Sequence, residues 1–219
     1  MIWTIRSMFF VLLTSLTVWT AQAGWGNGGH HGGQGWQQQS LTVEEEEQLL
    51  YLREEEKVAR DVYDLMYLLW GLPAFDNISA AEQRHMDAVL QIIDRYGLID
   101  SAHSQPGIFN NPELQALYDS LVAQGEQSLI EALLVGALIE EVDLQDLNEM
   151  MASTDNGTLM GLYKKLHCGS RNHLRSFVRQ IENRGMVYEA QVLSQGEVDK
   201  IVDSPMERRC GAGGSGRSR

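Results

Sequence analysis

Ile78-Ser79-Ala80-Ala81-Glu82-Gln83-Arg84-His85-Met86-Asp87-Ala88-Val89 is the stretch that decides how this chain folds. Residues three and four apart share one face of a helix. Here that face reads Ile78, Glu82, His85 and Val89 and continues to Ile92 and Tyr96, with a carboxylate and an imidazole one turn apart in an apolar stripe. Three other stretches repeat the pattern. One stripe holds Leu49, Leu52, Glu56, Ala59, Tyr63 and Met66. Another holds Leu129, Leu133, Gly136, Glu140, Asp143, Leu147 and Met150, and the last holds Leu159, Leu162, Leu166, Ser170, His173, Phe177 and Ile181. Each is interrupted near its middle by residue types that ligate metals. A buried, unpaired carboxylate costs several kcal/mol, so such groups are paired, protonated or bound to a cation. Carboxylates and imidazoles on four stripes at one level call for metal.

Outward from these stripes, the first helix is predicted from about Thr42 to Trp70, closed by Gly71 and Pro73. The run Glu44 to Glu47 follows Thr42, where negative charge complements the helix dipole, so its first members read as capping and surface residues. The second helix is predicted from Asn77 or Ser79 to just before Gly97, the third from about Gln127 to Ala152, and the fourth from near Asn156 to Gly185. Between the second and third, residues 97–126 carry Pro106, Gly107 and Pro112 and a short amphipathic helix with Leu114, Leu117, Tyr118 and Leu121. The expectation is an all-α domain over 40–204: two helical hairpins joined by a long crossover. A chain of about 165 residues can bury one such core.

A four-helix bundle with one long crossover is the ferritin-like arrangement. There a Glu from each of two helices joins a Glu-x-x-His from each of the other two around a pair of metals. Glu56, Glu140 and Glu82-x-x-His85 fill their places and His173 fills another, but the position paired with His173 is Ser170. The segment Glu56-Lys57-Val58-Ala59-Arg60-Asp61-Val62-Tyr63 resembles the first-helix motif of rubrerythrins, Glu-x-x-Ala-Arg-x-x-Tyr. From about Leu41 to Val202 the chain also resembles a ferritin-like family of bacterial proteins known as a domain of unknown function. That resemblance rests on Arg53-Glu54-Glu55-Glu56-Lys57, Glu82-Gln83-Arg84-His85-Met86, Gly136-Ala137-Leu138-Ile139-Glu140-Glu141 and Gly169-Ser170-Arg171-Asn172-His173-Leu174-Arg175.

The resemblance implies a dinuclear site whose ligands are Glu56, Glu82, His85, Glu140, Asp143 and His173. Asp143 compensates in this set for the Glu that ferritin-like di-iron sites carry where this chain has Ser170. Tyr63 and Ser170 are expected beside the ligands without binding metal. Mixed carboxylate and imidazole ligation suits two iron or manganese ions, and no organic cofactor is expected. Glu56 is preferred over Glu55 because it keeps the Leu49, Leu52, Ala59, Tyr63 register. Glu140 is preferred over Glu141, whose own stripe fades into polar residues at Gln145. His103, in the crossover, and His167, on a neighbouring face, read as structural.

The chain ends carry different signals. Residues 1–23 combine Arg6, an apolar run from Met8 to Val18, and Ala21-Gln22-Ala23 as a small-x-small cleavage site, which predicts a secretory signal peptide. The alternative is a signal anchor. The apolar run falls short of the ~20 residues of a spanning helix, so no stable membrane insertion is expected after cleavage. Residues 24–39, rich in Gly, Gln and Trp and including His30 and His31, read as a flexible linker, and 205–219 as a disordered Gly/Arg-rich tail. Export to a periplasmic or extracellular space makes a disulfide feasible for Cys168 and Cys210, within one chain or between two subunits of a homodimer; two unpaired thiols remain the alternative. Overall, 17 Lys and Arg face 30 Asp and Glu, so nucleic acid is excluded as an expected partner.

Two functions remain open on the sequence. One is a di-iron or di-manganese protein with oxidase, peroxidase or ferroxidase activity toward dioxygen or peroxide. No catalytic residue beyond the ligands is assigned. No Cys-x-x-Cys pair is present, so electrons come from outside or from Fe(II) itself. The other is a non-enzymatic exported binding or structural protein, in which the polar core residues pair with Arg60, Arg84 or Arg171.

Overall fold

The Thr42 hydroxyl accepts from the backbone N–H of Glu45, and the Glu45 carboxylate accepts from the N–H of Thr42. This reciprocal cap fixes the start of helix α1, Val43–Trp70. In the computed structural model, residues 39–208 and Cys210 are described. The expected signal and nearly all of the expected linker lie outside them. Five helices follow: α2 Pro73–Tyr96, α3 Pro112–Gly125, α4 Leu129–Ser153, α5 Gly157–Glu182 and α6 Gln195–Val202. The all-α expectation agrees with this. No described helix is long and apolar enough to cross a membrane.

Two boundaries differ from the sequence reading. Helix α2 begins at Pro73, several residues early, because proline at the first helical position loses no intrahelical hydrogen bond and starts a helix as readily as it ends one. The turn between α1 and α2 is therefore only Gly71-Leu72, with Gly71 in the left-handed region at φ 63°. Helix α6, capped by Ser194 and Glu197, had no long apolar stripe to announce it.

Helix α1 packs along α2 and α4 along α5, and the two pairs meet through α1 with α4 and α2 with α5. Their buried faces form two apolar layers. One includes Val62, Tyr63, Phe75, Ala132, Leu133 and Phe177. The other includes Leu49, Leu52, Val89, Ile93, Leu147 and Leu166. In α1, α2 and α5 the metal-ligating residue types fall between these layers in sequence, and in α4 they fall where the first layer gives way to the second, between Ile139 and Leu147.

Helix α3 lies against α1 and α4, and the chain leading to it is tied to α1 by buried charges. Lys57 Nζ donates to Asp61 at 2.6 Å and to the carbonyls of Gln105 and Ile108 at 2.9 and 3.2 Å. Asp61 also accepts from Arg60 and from the N–H of Gly107. Glu54 accepts from the N–H groups of Asn110 and Asn111.

The segment after 204, expected to be disordered, is docked at its start. Glu207 accepts from Arg171 and Arg175, and a disulfide joins Cys168 of α5 to Cys210. The arginines supply fixed donors that composition alone did not reveal.

Candidate metal centre

Each of the four long helices brings its interrupted position to one place. Glu56 comes from α1, Glu82 and His85 from α2, Glu140 and Asp143 from α4, and Ser170 and His173 from α5. All of these residues are buried, the most accessible being His173 at 8 % exposure, so bulk water cannot solvate the charges. Glu82 is central. One of its oxygens lies 2.7 Å from Nδ1 of His85 and the other 2.7 Å from Nδ1 of His173. Glu56 approaches His85 Nδ1 at 3.1 Å, and Glu140 approaches His173 Nδ1 at 3.4 Å. Two triads result among the described residues, Glu56/Glu82/His85 and Glu82/Glu140/His173, with the candidate ligand atoms of each within 4.8 Å of one another. The imidazole rings stack with centroids 5.5 Å apart.

Asp143 sits beside these triads and in neither. The Ser170 hydroxyl donates to its Oδ2, while Oδ1 has no hydrogen-bond partner. Asp143 nevertheless lines the same cavity as Glu55, Glu56, Ala59, Glu82, Ile139 and Glu140. Tyr63 donates to Glu140 Oε1 at 2.6 Å, which orients that carboxylate toward His173. Burial, and then the charge of Glu140, push the Tyr63 phenol well above its ordinary value, so it stays a donor.

Without metal, protons hold the cluster together. Burial works against charge on His173, but Glu82 and Glu140 lift its pKa to about 10. His85 is also raised, with Glu56 and Glu82 overcoming the effect of burial. Burial would raise Glu82, yet the two imidazoles hold it well below the carboxylate range. Burial carries Glu56 up to about 7 against the opposing influence of His85. Asp143 is raised well above its ordinary value by burial and by the charges of Glu56 and Glu140.

The donor set fits divalent metal on the geometry itself. Glu56 Oε1, Asp143 Oδ1 and both oxygens of Glu55 are buried without hydrogen-bond partners. His173 Nδ1, although close to two carboxylates, has no well-formed hydrogen bond to either. His85 Nδ1 shares a hydrogen bond with Glu56 at 3.1 Å, and the remaining atoms converge as ligands do, around a shared point. Four carboxylates, counting Asp143, and two neutral imidazoles also balance two divalent charges.

Three features were missed in the sequence. Glu55 is buried and faces the cavity, because it shares Leu52 and Ala59 with the stripe that Glu56 occupies. Glu141 is fully buried and not on a fading polar stripe: Ala137 and Leu144 flank it on its own face. It accepts from the Tyr188 hydroxyl and the N–H groups of Gln191, Val192 and Leu193. Gly169 makes room for an imidazole, since a Cβ there would lie 2.4 Å from Nε2 of His85. A glycine one turn before His173 on an interior face was the available signal. His103 and His167 lie outside both triads.

The sequence profile of DUF2202, an uncharacterized protein domain, matches residues 45–205. The uncharacterized protein MJ0754 of the archaeon Methanocaldococcus jannaschii is 44% identical over 158 residues, covering 72% of this chain and 85% of that protein. The crystal structure of that hypothetical protein superposes with a TM-score of 0.75 at 43% identity, covering 77% of this chain and 97% of the other.

Proposed function

The chain belongs to the DUF2202 family of uncharacterized domains, and from that premise we propose that it is a ferritin-like four-helix bundle holding two redox-active metal ions, iron or manganese. The observation that carries this reading is Glu82, whose two oxygens each meet a different imidazole while Glu56 and Glu140 flank the pair. Glu56, Glu82 and His85 would hold one ion, and Glu82, Glu140 and His173 the other. Asp143 is the additional carboxylate available from the same cavity.

Iron or manganese bound there supplies electrons for reduction of peroxide or dioxygen, with oxidase, peroxidase or ferroxidase chemistry as the reaction class. The protein's own part is positioning. Tyr63 orients Glu140 through its hydroxyl, Ser170 holds one oxygen of Asp143, and the apolar layers on either side exclude water. Both described cysteines are joined in a disulfide, so neither serves as a thiolate electron relay. External electrons or Fe(II) as substrate fill that role. The disulfide also supports an exported location.

A second reading has its own observation. Protonated His85 and His173 pair with Glu56, Glu82 and Glu140, an arrangement that can join the four helices without metal. Elemental analysis after native purification separates the two, the metal reading requiring about two equivalents per chain. Glu82→Ala and His85→Ala should abolish metal retention and Fe(II) oxidation while circular dichroism shows folded helix. Metal-free protein that resists reconstitution with iron and manganese would leave only the proton-held helical scaffold.

A further inference from the structure

Glu55 lies outside both triads and is difficult to explain by them. It is 7 % exposed, it lines the cavity shared with Glu56, Glu82, Glu140 and Asp143, and no N–H or hydroxyl donor reaches either of its oxygens. A buried carboxylate in that condition loses hydration and gains nothing in return unless a cation or proton joins it.

The group beside it is another acid. Asp146 of α4 is half-buried and interacts directly with Glu55. Asp146 continues a file along α4: Glu140, Asp143, Asp146 and Glu149 follow at intervals of three. Three residues fall short of a full helical turn by about 60°. The file therefore winds around α4, and accessibility changes along it from buried Glu140 and Asp143 through half-buried Asp146 to exposed Glu149. Asp146 thus stands between the exposed side of α4 and the buried cavity residues, on a helix that packs against α1.

We propose that Glu55 and Asp146 form an outer binding position for divalent cations, from which Asp143 passes them to the Glu56/Glu82/Glu140 centre. This inference rests on the dinuclear reading, since a relay needs a destination. Exchange of one carboxylate for the next along the file keeps a cation neutralised through a region that water does not solvate. It also explains why Asp143 keeps a free oxygen toward the cavity while Ser170 holds the other.

The test is stopped-flow loading of the metal-free full chain with Fe(II) and, separately, Mn(II), with final stoichiometry measured after desalting. Glu55→Gln and Asp146→Asn should each leave the retained stoichiometry at the parental value and slow loading by about tenfold or more, the scale on which a focused negative path raises cation encounter. Parental loading rates in both variants overturn the relay. Loss of retained metal in Glu55→Gln also overturns it, because Glu55 is then a ligand of the centre itself. A parent that retains no metal, or a His85→Ala variant that retains as much as the parent, refutes the dinuclear reading instead. Equal slowing by a surface change away from the file, at exposed Glu189 (Glu189→Gln), would reduce the effect to general surface charge and remove the assigned role of Glu55.

Discussion

Glu140 and Glu141 are adjacent, almost equally inaccessible, and opposite in their surroundings. Glu141 is surrounded by donors, with a phenol and three backbone N–H groups directed at it. Glu140 meets one phenol and then an imidazole and other acids. On α1 the same division separates Glu54, which accepts from Asn110 and Asn111, from Glu55 and Glu56, which face the acid-rich cavity. One residue turns a helix by about 100°, enough to change a carboxylate from an anchor into a ligand. Burial of an acid is therefore not what marks a metal site. A shortage of donors around it is.

Changing the pH acts on the acid-rich cluster and spares the donor-rich anchors. In the metal-free protein, His173 has a folded pKa of about 10 against an ordinary 6.5, so its contribution to stability is present below 6.5 and lost as pH rises through 10. Glu56, raised from 4.5 to about 7, favours the folded state in its protonated form, and that advantage is lost as pH rises through 7. Both act in the same direction. Thermal midpoints of metal-free protein should fall steadily between about pH 5 and pH 10, and added Mn(II) should protect more strongly toward the alkaline end because the ligands must shed protons. A flat profile would mean that the cluster does not hold the protons inferred for it.

Substitution sharpens the contrast further. Glu141→Ala strands four donors and is expected to destabilise the fold by about 3–5 kcal/mol in urea titration, with metal stoichiometry unchanged. Gly169→Ala drives a methyl into the His85 ring and should lower stability by about 1–3 kcal/mol while weakening metal retention. Glu56→Gln is expected to do the reverse of Glu141→Ala. At pH 8 the metal-free variant should be more stable than the parent by an amount on the order of 1 kcal/mol, with metal affinity measured by competitive chelation reduced at least about tenfold. A Glu56→Gln protein as damaged as Glu141→Ala would erase the distinction between ligand and anchor.

The stripes made most of this legible. Glu82 and His85 could be placed because a spacing of three survives any uncertainty in helix ends, and Glu56, Glu140 and His173 followed from their apolar neighbours. Asp143 lies on the expected face and Ser170 beside the ligands, but which carboxylate the serine hydroxyl meets had no signal in the spacing of either stripe. Glu54, Lys57 and Asp61 carried no periodic signal of burial. Besides the local Lys57–Asp61 and Arg60–Asp61 pairs, they meet backbone groups of the crossover tens of residues away, and backbone atoms have no sequence signature. Glu141 was missed for the same reason, its partners being amides at 191–193.

The bond between Cys168 and Cys210 has a consequence for the chain when it opens. The cross-link closes a loop of 42 residues that contains His173, the segment anchoring Glu141, and all of α6. By loop-closure entropy such a ring removes about 4 kcal/mol worth of freedom from the unfolded ensemble. Even with α6 detached and its hydrogen bonds broken, residues 188–193 stay tethered near α5 at high effective concentration. The arm's return is then an intramolecular search over a short contour and not a fresh encounter.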